Sequence, residues 1–291
     1  MINTIEFPAL GLSFEIDRIA FSLLGKNVYW YGILIGLGVF LAVWYCVRWI
    51  CLFGFNADLV YDVLIWALPA AIVGARLYYV AFEWSYYSQH PADIIAVWKG
   101  GLAIYGGVIG ALIAVSICCK KYRLNIAAAF DVAALGLLIG QIIGRWGNFI
   151  NGEAHGTVTD SLFGMVINGE GPFHPTFLYE SIWNLIGLIL LHIISEKAYR
   201  FRGQLFLFYL IWYGVGRSMI EGLRTDSLYI GSTGIRASQM LALITGVIGL
   251  VLMTVCLRKS VKTIGQLWDP HADPRSSRID EKNIDNKEMI E

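Results

Sequence analysis

The side chains of this sequence that could do chemistry are charged residues inside long apolar segments. Tyr213, Arg217, Glu221 and Arg224 follow one another in YLIWYGVGRSMIEGLR at spacings of four, four and three residues. At about 100° per residue they cover about 80° of a helix surface and form one polar stripe. Charge within a bilayer costs a few kcal/mol per group, so it is functional by default. Arg217 and Glu221 can pair directly, either within a site or as a structural ion pair between helices.

A second polar group follows the apolar segment that ends in GRWGNFINGE. Arg145 lies at the end of that segment, and Asn148, Asn151 and Glu153 follow within a turn or two. A lone arginine in such a position could simply extend its guanidinium to the lipid headgroups. Three further polar side chains directly after it favour a binding site instead.

Three other apolar segments carry polar residues near one end. Arg76 has Tyr78 and Tyr79 beside it, Tyr105 lies in the GGLAIYGG string, and Tyr31, in VYWYG, lies at the start of the first apolar segment. A belt of tyrosines at the membrane interface explains Tyr31 as well as a functional role does.

Seven long apolar segments position these residues. The chain is 57% hydrophobic and 15% charged over 291 residues, with a mean hydropathy of +0.60, whereas a soluble domain carries about a quarter charged residues. Runs of about 20 apolar residues indicate membrane-spanning helices. We therefore predict an all-α membrane protein with seven transmembrane helices. They cover roughly 30–50, 62–82, 102–119, 127–144, 176–195, 204–222 and 236–257.

The placement of lysine and arginine orients these helices, because cytoplasmic loops carry an excess of both. The basic residues fall at alternate helix ends, which predicts an external N-terminus and a cytoplasmic C-terminus. They are Arg48; Lys120, Lys121 and Arg123; Lys197, Arg200 and Arg202; and Arg258, Lys259 and Lys262.

We predict a single polytopic membrane domain over residues 1–263, with an outward-facing loop near 146–175, and a polar cytoplasmic tail over 264–291. The first 25 residues lack the basic start, apolar run and cleavage site of a signal peptide. The net charge is zero, so no basic excess indicates nucleic acid. None of the five cysteines has metal-ligand spacing with a histidine, and we expect neither a metal nor a cofactor.

The polar residues of these segments fall on the outer side of the predicted topology. The cytoplasmic ends carry only ordinary basic loop residues. Guanidinium groups bind phosphate in a bidentate manner, and asparagine side chains can bind glycerol or ester oxygens. A site that opens to lipid and to the outer aqueous face therefore fits an anionic phospholipid headgroup.

Five segments carry most of this polar set: WYG (30–32), GGLAIYGGVIG (100–110), GRWGNFINGEAHG (144–156), HPTFLYE (174–180) and YGVGRSMIEGLR (213–224). These segments closely resemble the bacterial prolipoprotein diacylglyceryl transferases. The resemblance extends from the first predicted helix to the seventh, and the GRWGNFINGE string is its longest and most specific part.

The resemblance implies a reaction and a location. Enzymes of this family move the diacylglyceryl group of phosphatidylglycerol onto the lipobox cysteine thiol of a preprolipoprotein. A thioether forms and glycerol 1-phosphate leaves, which is the first step of lipoprotein maturation. The implied location is the bacterial cytoplasmic (plasma) membrane, in a multi-pass protein with its active site toward the outer leaflet. The implied partners are phosphatidylglycerol, signal peptides with a lipobox cysteine and the lipid bilayer.

The resemblance also assigns site residues, position by position. Arg145 resembles the arginine that binds phosphatidylglycerol, and Arg217 and Glu221 match further functional positions of the family. The implied substrate-binding residues are Arg145, Asn148, Tyr31, Gly156, Asn151 and Arg224. The candidate catalytic residues are Tyr105, Glu153, Arg217, Glu221 and His155.

One position departs from the family pattern. Many members have histidine in a GGLxxHGG segment, where it is often proposed as the catalytic base, and Tyr105 stands at that position here. Tyrosine has an ordinary pKa near 10, so it is a poor base at neutral pH unless nearby arginines lower that pKa. His155 is the nearest alternative in sequence, although a loop histidine more often contacts only solvent or headgroups. The base stays open between Tyr105, His155 and Glu153.

Two other classes of function compete with an enzyme. A transporter or binder of an anionic lipid would line a path through both leaflets with polar groups, whereas the inner half of this predicted bundle is apolar. A non-catalytic scaffold would scatter matched charges along its helices. Neither pattern fits charges that collect at one depth.

Overall fold

The computed structural model describes residues 2–23, 25–53, 56–225, 229, 234 and 236–259. Over these residues the chain is mostly helical. Its helices are α1 (Trp30–Trp49), α2 (Asp58–Phe82), α3 (Trp84–Tyr87), α4 (Ile104–Lys121), α5 (Ile126–Asn151), α6 (Thr176–Lys197), α7 (Gln204–Glu221) and α8 (Ala237–Lys259). Short 3-10 helices occur at Pro8–Leu10, Ile50–Phe53, Pro91–Ile95 and Val97–Lys99.

Six helices of the described chain are long and apolar enough to cross a membrane, namely α1, α2, α4, α5, α6 and α8. α7 coincides with the sixth predicted helix, but Gln204, Arg217 and Glu221 lower its mean hydropathy. The long helices therefore lie where the sequence predicts them. Seven membrane spans and the orientation of the ends stay predictions.

The protein is mostly helical, as the sequence predicts, but the described residues also form two antiparallel sheets, which the prediction of an all-α fold did not include. Each strand is too short to be detected in a hydropathy pattern that extends over about 20 residues. A four-stranded sheet has the order β2-β1-β5-β6, from β1 (Ile2–Phe7), β2 (Leu12–Asp17), β5 (Met165–Ile167) and β6 (Glu170–Phe173). A hairpin joins β3 (Ile19–Leu23) to β4 (Lys26–Tyr29).

A small apolar core holds the four-stranded sheet against the ends of two helices. Ile5 of β1 and Ile167 of β5 pair in register and pack with Phe177, in the first turn of α6. The ring of Phe149, near the end of α5, lies 4.8 Å from that of Phe177 between centroids. The sheet therefore fixes the end of α5 relative to the start of α6.

The helix that carries Arg145 extends further than the sequence predicts. The predicted fourth helix ends at residue 144, whereas α5 continues to Asn151. Gly152 then adopts a φ of +64°, the left-handed conformation that commonly ends a helix. Arg145 and Asn148 consequently lie on the same helical face, three residues apart.

The described chain divides into two compact units. The first comprises residues 2–46 and 130–259, and the second comprises 47–129. In the second unit, α2 and α4 pack closely through small residues, because a Cβ on Gly74 or Gly106 would collide with the facing backbone. The polar tail predicted at 264–291 lies outside the described residues.

Candidate functional site

Glu180 of α6 lies at the centre of an ionic cluster in the first unit. Its Oε2 lies 2.7 Å from Arg145 Nη2 of α5, and its Oε1 accepts a hydrogen bond from Arg217 Nη1 of α7 at 2.7 Å. Arg224, which follows α7, brings Nη1 to 3.8 Å from the same Oε1. Arg217 Nη2 lies 2.6 Å from Glu221 Oε2. One carboxylate therefore contacts all three arginines of the cluster.

The cluster is largely buried and carries an excess of positive charge. The Glu180 and Glu221 side chains are 5% and 2% exposed, and a buried carboxylate is tolerated only when it is paired. Three guanidiniums face two carboxylates, which leaves one positive charge in excess. Arg145 is the most exposed arginine of the three, at 22%. Because each guanidinium has five N–H donors, donors remain for an incoming anion.

Amide side chains extend the cluster along the end of α5. Arg145 Nη1 donates to Asn148 Oδ1 at 3.5 Å. Asn148 Nδ2 and Asn151 Nδ2 both donate to Glu153 Oε1, at 3.2 and 3.1 Å. Four residues that the sequence places in the site are therefore joined to one another and, through Arg145, to Glu180.

Two tryptophans fix α6 against α7 beside the ion pairs. Trp183 Nε1 donates to the Trp212 carbonyl at 3.0 Å, and Trp212 Nε1 donates to the Trp183 carbonyl at 2.9 Å. Their rings stack with centroids 4.4 Å apart. Trp183 lies three residues after Glu180, so this reciprocal pairing holds Glu180 opposite Arg217.

We expect Gly216→Ala to disturb that pairing, because a Cβ on Gly216 would collide with the Trp183 indole. Overpacking of this kind lowers the free energy of unfolding by about 1–3 kcal/mol, which thermal unfolding of the purified protein in detergent would detect. Gly36→Ala in α1 is the matched control, since a Cβ there meets no atom within 4 Å. Equal unfolding temperatures for the two variants would contradict the assignment.

The loop after α5 pairs with the segment after α7. Gly156 and Arg224 form an isolated antiparallel bridge, and the Gly156 N–H donates to the His174 carbonyl at 2.9 Å. A Cβ on Gly156 would lie 2.7 Å from the His174 Cβ, so a larger residue does not fit. The His155 ring stacks on Phe173 with centroids 4.2 Å apart. The loop therefore positions Arg224, while His155 packs on β6.

Tyr31, at the start of α1, lies against the helix that carries Arg145. A Cβ on Gly147 would lie 2.8 Å from Tyr31 Cε2, so the ring packs on the backbone of that glycine. Gly147 stands between Arg145 and Asn148, which places Tyr31 beside the site. Its assignment to substrate binding stays a prediction.

The second unit contains Arg76 and Tyr105. Arg76 is 5% exposed, and its guanidinium donates to four backbone carbonyls at 2.6–2.9 Å, those of Asp93, Ile94, Gly100 and Gly101. The Asp93 carboxylate instead accepts from Lys99, whose ammonium holds the pKa of Asp93 below its usual value. Arg76 thus organises the loop before Tyr105. The Tyr105 ring lies 6.5 Å from that of Tyr78 between centroids.

Sequence reasoning did not assign a role to Glu180, although it contacts every arginine of the cluster. The sequence could have indicated such a role, because Glu180 is a carboxylate within the fifth predicted helix and a charge inside the membrane is functional by default. Arg236 was also not assigned. This arginine directly precedes α8, and its Nη1 donates to the backbone carbonyl of Glu221 at the end of α7.

The arrangement suits the binding of a phosphate group by arginines, with carboxylate and amide groups beside it. Guanidiniums held in place by Glu180 and Glu221 can stabilise negative charge that grows on a leaving phosphate. The described residues contain no group of three or more histidine, cysteine, aspartate or glutamate side chains that could hold a metal ion.

Comparisons with known proteins identify the family to which this chain is similar. The family described as prolipoprotein diacylglyceryl transferase matches residues 18–255. A protein of Bacillus velezensis named phosphatidylglycerol–prolipoprotein diacylglyceryl transferase is 44% identical over 250 residues, covering 82% of this chain and 91% of that protein. A protein of the same name from Finegoldia magna is 44% identical over 248 residues, covering 85% and 99%. One from Bacillus mycoides is 45% identical over 258 residues, covering 84% and 94%.

Proposed function

The chain belongs to the prolipoprotein diacylglyceryl transferase family, and from that premise we propose that it transfers the diacylglyceryl group of phosphatidylglycerol to the lipobox cysteine of preprolipoproteins. The observation that carries the proposal is the cluster of three arginines around Glu180, with one positive charge in excess. Such a cluster suits a phosphodiester headgroup.

We propose a multi-pass protein of the bacterial cytoplasmic membrane. The positions of its basic residues support seven spans, an external N-terminus and a cytoplasmic C-terminus. In this orientation the ionic cluster lies toward the outer leaflet, because Arg145 is near the end of α5 and Glu180 near the start of α6. A preprolipoprotein cysteine on that side could then reach the lipid headgroup.

In the proposed binding mode, the phosphate contacts Arg145 first. It is the most exposed of the three arginines, and its second partner, Asn148, offers an amide to the glycerol. Arg217 and Arg224 are more buried than Arg145, and they supply further positive charge beside Glu180. Tyr31, Asn151 and Gly156 would complete the substrate-binding set around the end of α5.

The proposed reaction is a displacement at the glycerol carbon that bears the phosphate. The cysteine thiolate attacks that carbon, a carbon–sulfur bond forms, and the carbon–oxygen bond to phosphate breaks. The electron pair leaves with glycerol 1-phosphate, whose charge the arginines stabilise. A base removes the thiol proton before or during attack, and Glu180 and Glu221 keep the guanidiniums in position.

Three residues are candidates for that base. Hydrogen bonds from Asn148 and Asn151 connect Glu153 to the ionic cluster. This position beside the cluster favours Glu153 as the base. His155 stacks on Phe173 in the adjoining loop. Tyr105 is supported by its place in the family motif.

A comparison of Tyr105→Phe with His155→Ala would identify the base among these candidates. Loss of general base catalysis lowers kcat by about 100-fold or more, so the variant that lacks the base should show that loss while its KM for lipid changes little. The measurement is transfer from labelled phosphatidylglycerol at several pH values. If both variants keep wild-type kcat, Tyr105 and His155 are excluded and Glu153 is left as the favoured candidate.

The function itself can be tested with purified protein in phosphatidylglycerol vesicles and a lipobox peptide. The peptide should gain the mass of one diacylglyceryl group, and a peptide with serine in place of cysteine should gain nothing. A transporter or binder of anionic lipid would instead move or retain lipid and leave the peptide unmodified. An unmodified cysteine peptide would therefore overturn the proposal.

A further inference from the structure

We infer that the β2 edge, the side of β2 (Leu12–Asp17) that faces away from β1, binds the protein substrate as an added strand. The inference rests on the proposed function, since the occupant is the segment of a preprolipoprotein that follows the lipobox cysteine. In an extended conformation this segment would pair with β2 through backbone hydrogen bonds, a common mode of peptide recognition.

β2 is the open edge of the four-stranded sheet. The strand order β2-β1-β5-β6 leaves β2 paired with β1 on one side only. The opposite edge is covered at β6, because Val158 forms a bridge with Phe173 and the Thr159 N–H donates to the Pro172 carbonyl at 2.9 Å. In the described chain, a further strand can therefore join the sheet at β2.

The hydrogen bonds of β1 show which backbone groups of β2 face this edge. The Thr4 N–H donates to Asn168 Oδ1 at 2.9 Å, and the Thr4 carbonyl accepts from the Asn168 N–H at 2.8 Å. Both backbone groups of Thr4 thus point away from β2, so Thr4 and its partner Glu15 form a non-hydrogen-bonded pair. The N–H and carbonyl of Glu15 consequently point away from β1, and those of Ser13, two residues earlier, do the same.

These outward groups are available to a partner. Ser13 and Glu15 are exposed, and no other backbone segment among the described residues bonds their N–H or carbonyl groups. Each residue has one donor and one acceptor on its main chain. A row of such unpaired groups pairs readily with another extended chain.

The apolar face of the sheet also stays uncovered at β2. Phe14 and Leu12 stand opposite Ile5 and Phe7 of the apolar core. They are 39% and 47% exposed, whereas Ile5 and Phe7 are buried. Every second side chain of an added strand would lie on this face beside them, so burial of apolar surface would add to the backbone pairing.

The β2 edge lies beside the ionic cluster. The Phe14 ring contacts the Phe149 ring edge to face, with centroids 6.1 Å apart, and Asn3 Nδ2 donates to the Ile150 carbonyl at 2.9 Å. Phe149 follows Arg145 by four residues on α5, about 6 Å along the helix axis. Since an extended chain covers about 3.3 Å per residue, roughly four residues would connect a cysteine at Arg145 to a strand on β2.

Charge favours a substrate strand over a second copy of this chain. β2 carries Glu15 and Asp17, and Glu6 of β1 stands opposite Ser13. Two copies of β2 paired edge to edge would bring these carboxylates close together, and like charges on facing strands are destabilising. A substrate strand of neutral residues meets no such repulsion.

The first test replaces single backbone N–H groups of a lipobox peptide with N-methyl groups and measures transfer from phosphatidylglycerol vesicles by wild-type protein. N-methylation removes one donor and keeps the strands apart. Beginning about four residues after the cysteine, methylation of every second residue should raise the peptide KM about fivefold or more, the effect of one lost hydrogen bond. The residues between them direct their N–H away from β2 and should tolerate methylation.

Glu15→Pro is the matching change in the protein. Proline lacks the N–H, but the Glu15 N–H lies outside the ladder with β1, so the sheet should be retained. Glu15→Ala is the reference variant, because it removes the same carboxylate and keeps the N–H. We expect a peptide KM about fivefold or more higher for Glu15→Pro than for Glu15→Ala, with the same KM for phosphatidylglycerol in both.

Each result supports or overturns the inference. Methylation without alternation would overturn it and leave the proposed function standing, and this scan decides the matter if Glu15→Pro fails to fold. Equal peptide KM values for folded Glu15→Pro and Glu15→Ala would also overturn it. If light scattering in detergent shows that Glu15→Pro only converts a dimer to a monomer, a second copy occupies β2 and the inference is wrong. Failure of wild-type protein to modify the unmethylated peptide would overturn the proposed function itself.

Discussion

Arg145→Ala is expected to lower kcat/KM for diacylglyceryl transfer by at least about 100-fold, the usual effect of removing one group that stabilises transition-state charge. Arg145 is the most exposed arginine of the cluster and bonds both Glu180 and Asn148. Its loss would remove the bidentate contact that we propose with the phosphate, and it leaves Glu180 paired to Arg217. Arg145→Lys keeps the charge without the planar fork of donors, so we expect an intermediate loss.

The measurement is the initial rate of transfer from labelled phosphatidylglycerol to a lipobox peptide. Arg258→Ala is the control, because Arg258 is an exposed arginine in the last turn of α8. It should retain wild-type kcat/KM. If Arg145→Ala transfers diacylglyceryl as fast as Arg258→Ala does, Arg145 does not bind the phosphate.

Glu180→Ala is expected to impair both activity and folding. Removing one partner of a buried ion pair destabilises a protein by about 3–5 kcal/mol, because the remaining charge stays buried without compensation. Here Arg145 and Arg217 both lose a contact of 2.7 Å, and Glu221 becomes the only carboxylate that contacts an arginine of the cluster in the described structure. Repulsion between the guanidiniums should then displace Arg145 and abolish detectable transfer.

Thermal unfolding in one detergent would measure the loss of stability. Glu180→Gln separates the effect of charge from that of shape, since it keeps the side-chain volume. We expect its unfolding temperature to lie between those of the wild type and Glu180→Ala. Glu170→Ala in β6 is the control, because the Glu170 side chain is exposed. This variant should unfold at the wild-type temperature. A Glu180→Ala protein with wild-type stability and activity would show that Glu180 does not organise the arginines.

Helical spacing alone was enough to recover much of the candidate site. Arg217 and Glu221 are four residues apart, and the structure joins them at 2.6 Å. Asn148, Asn151 and Glu153 follow Arg145 in sequence, and hydrogen bonds connect them. These contacts are local, so composition and periodicity were sufficient to group them.

Contacts between distant segments were not predictable in this way. β1 pairs with β5 across more than 150 residues, so no local pattern announces the four-stranded sheet. Glu180 lies 35 residues from Arg145 and 37 from Arg217, and its role depends on how α5, α6 and α7 pack. Arg76 has the residue type of a phosphate ligand, yet backbone carbonyls occupy its guanidinium.

The sequence by itself determined that arginines, carboxylates and asparagines collect at one end of several apolar helices, since charge in such segments has a high energetic cost and stands out. It also determined the family, through long motifs. Only the tertiary structure decided which of those charges meet. It made Glu180 the partner of three arginines. The physical reason is that pairing and desolvation depend on distances between helices, which side-chain packing sets.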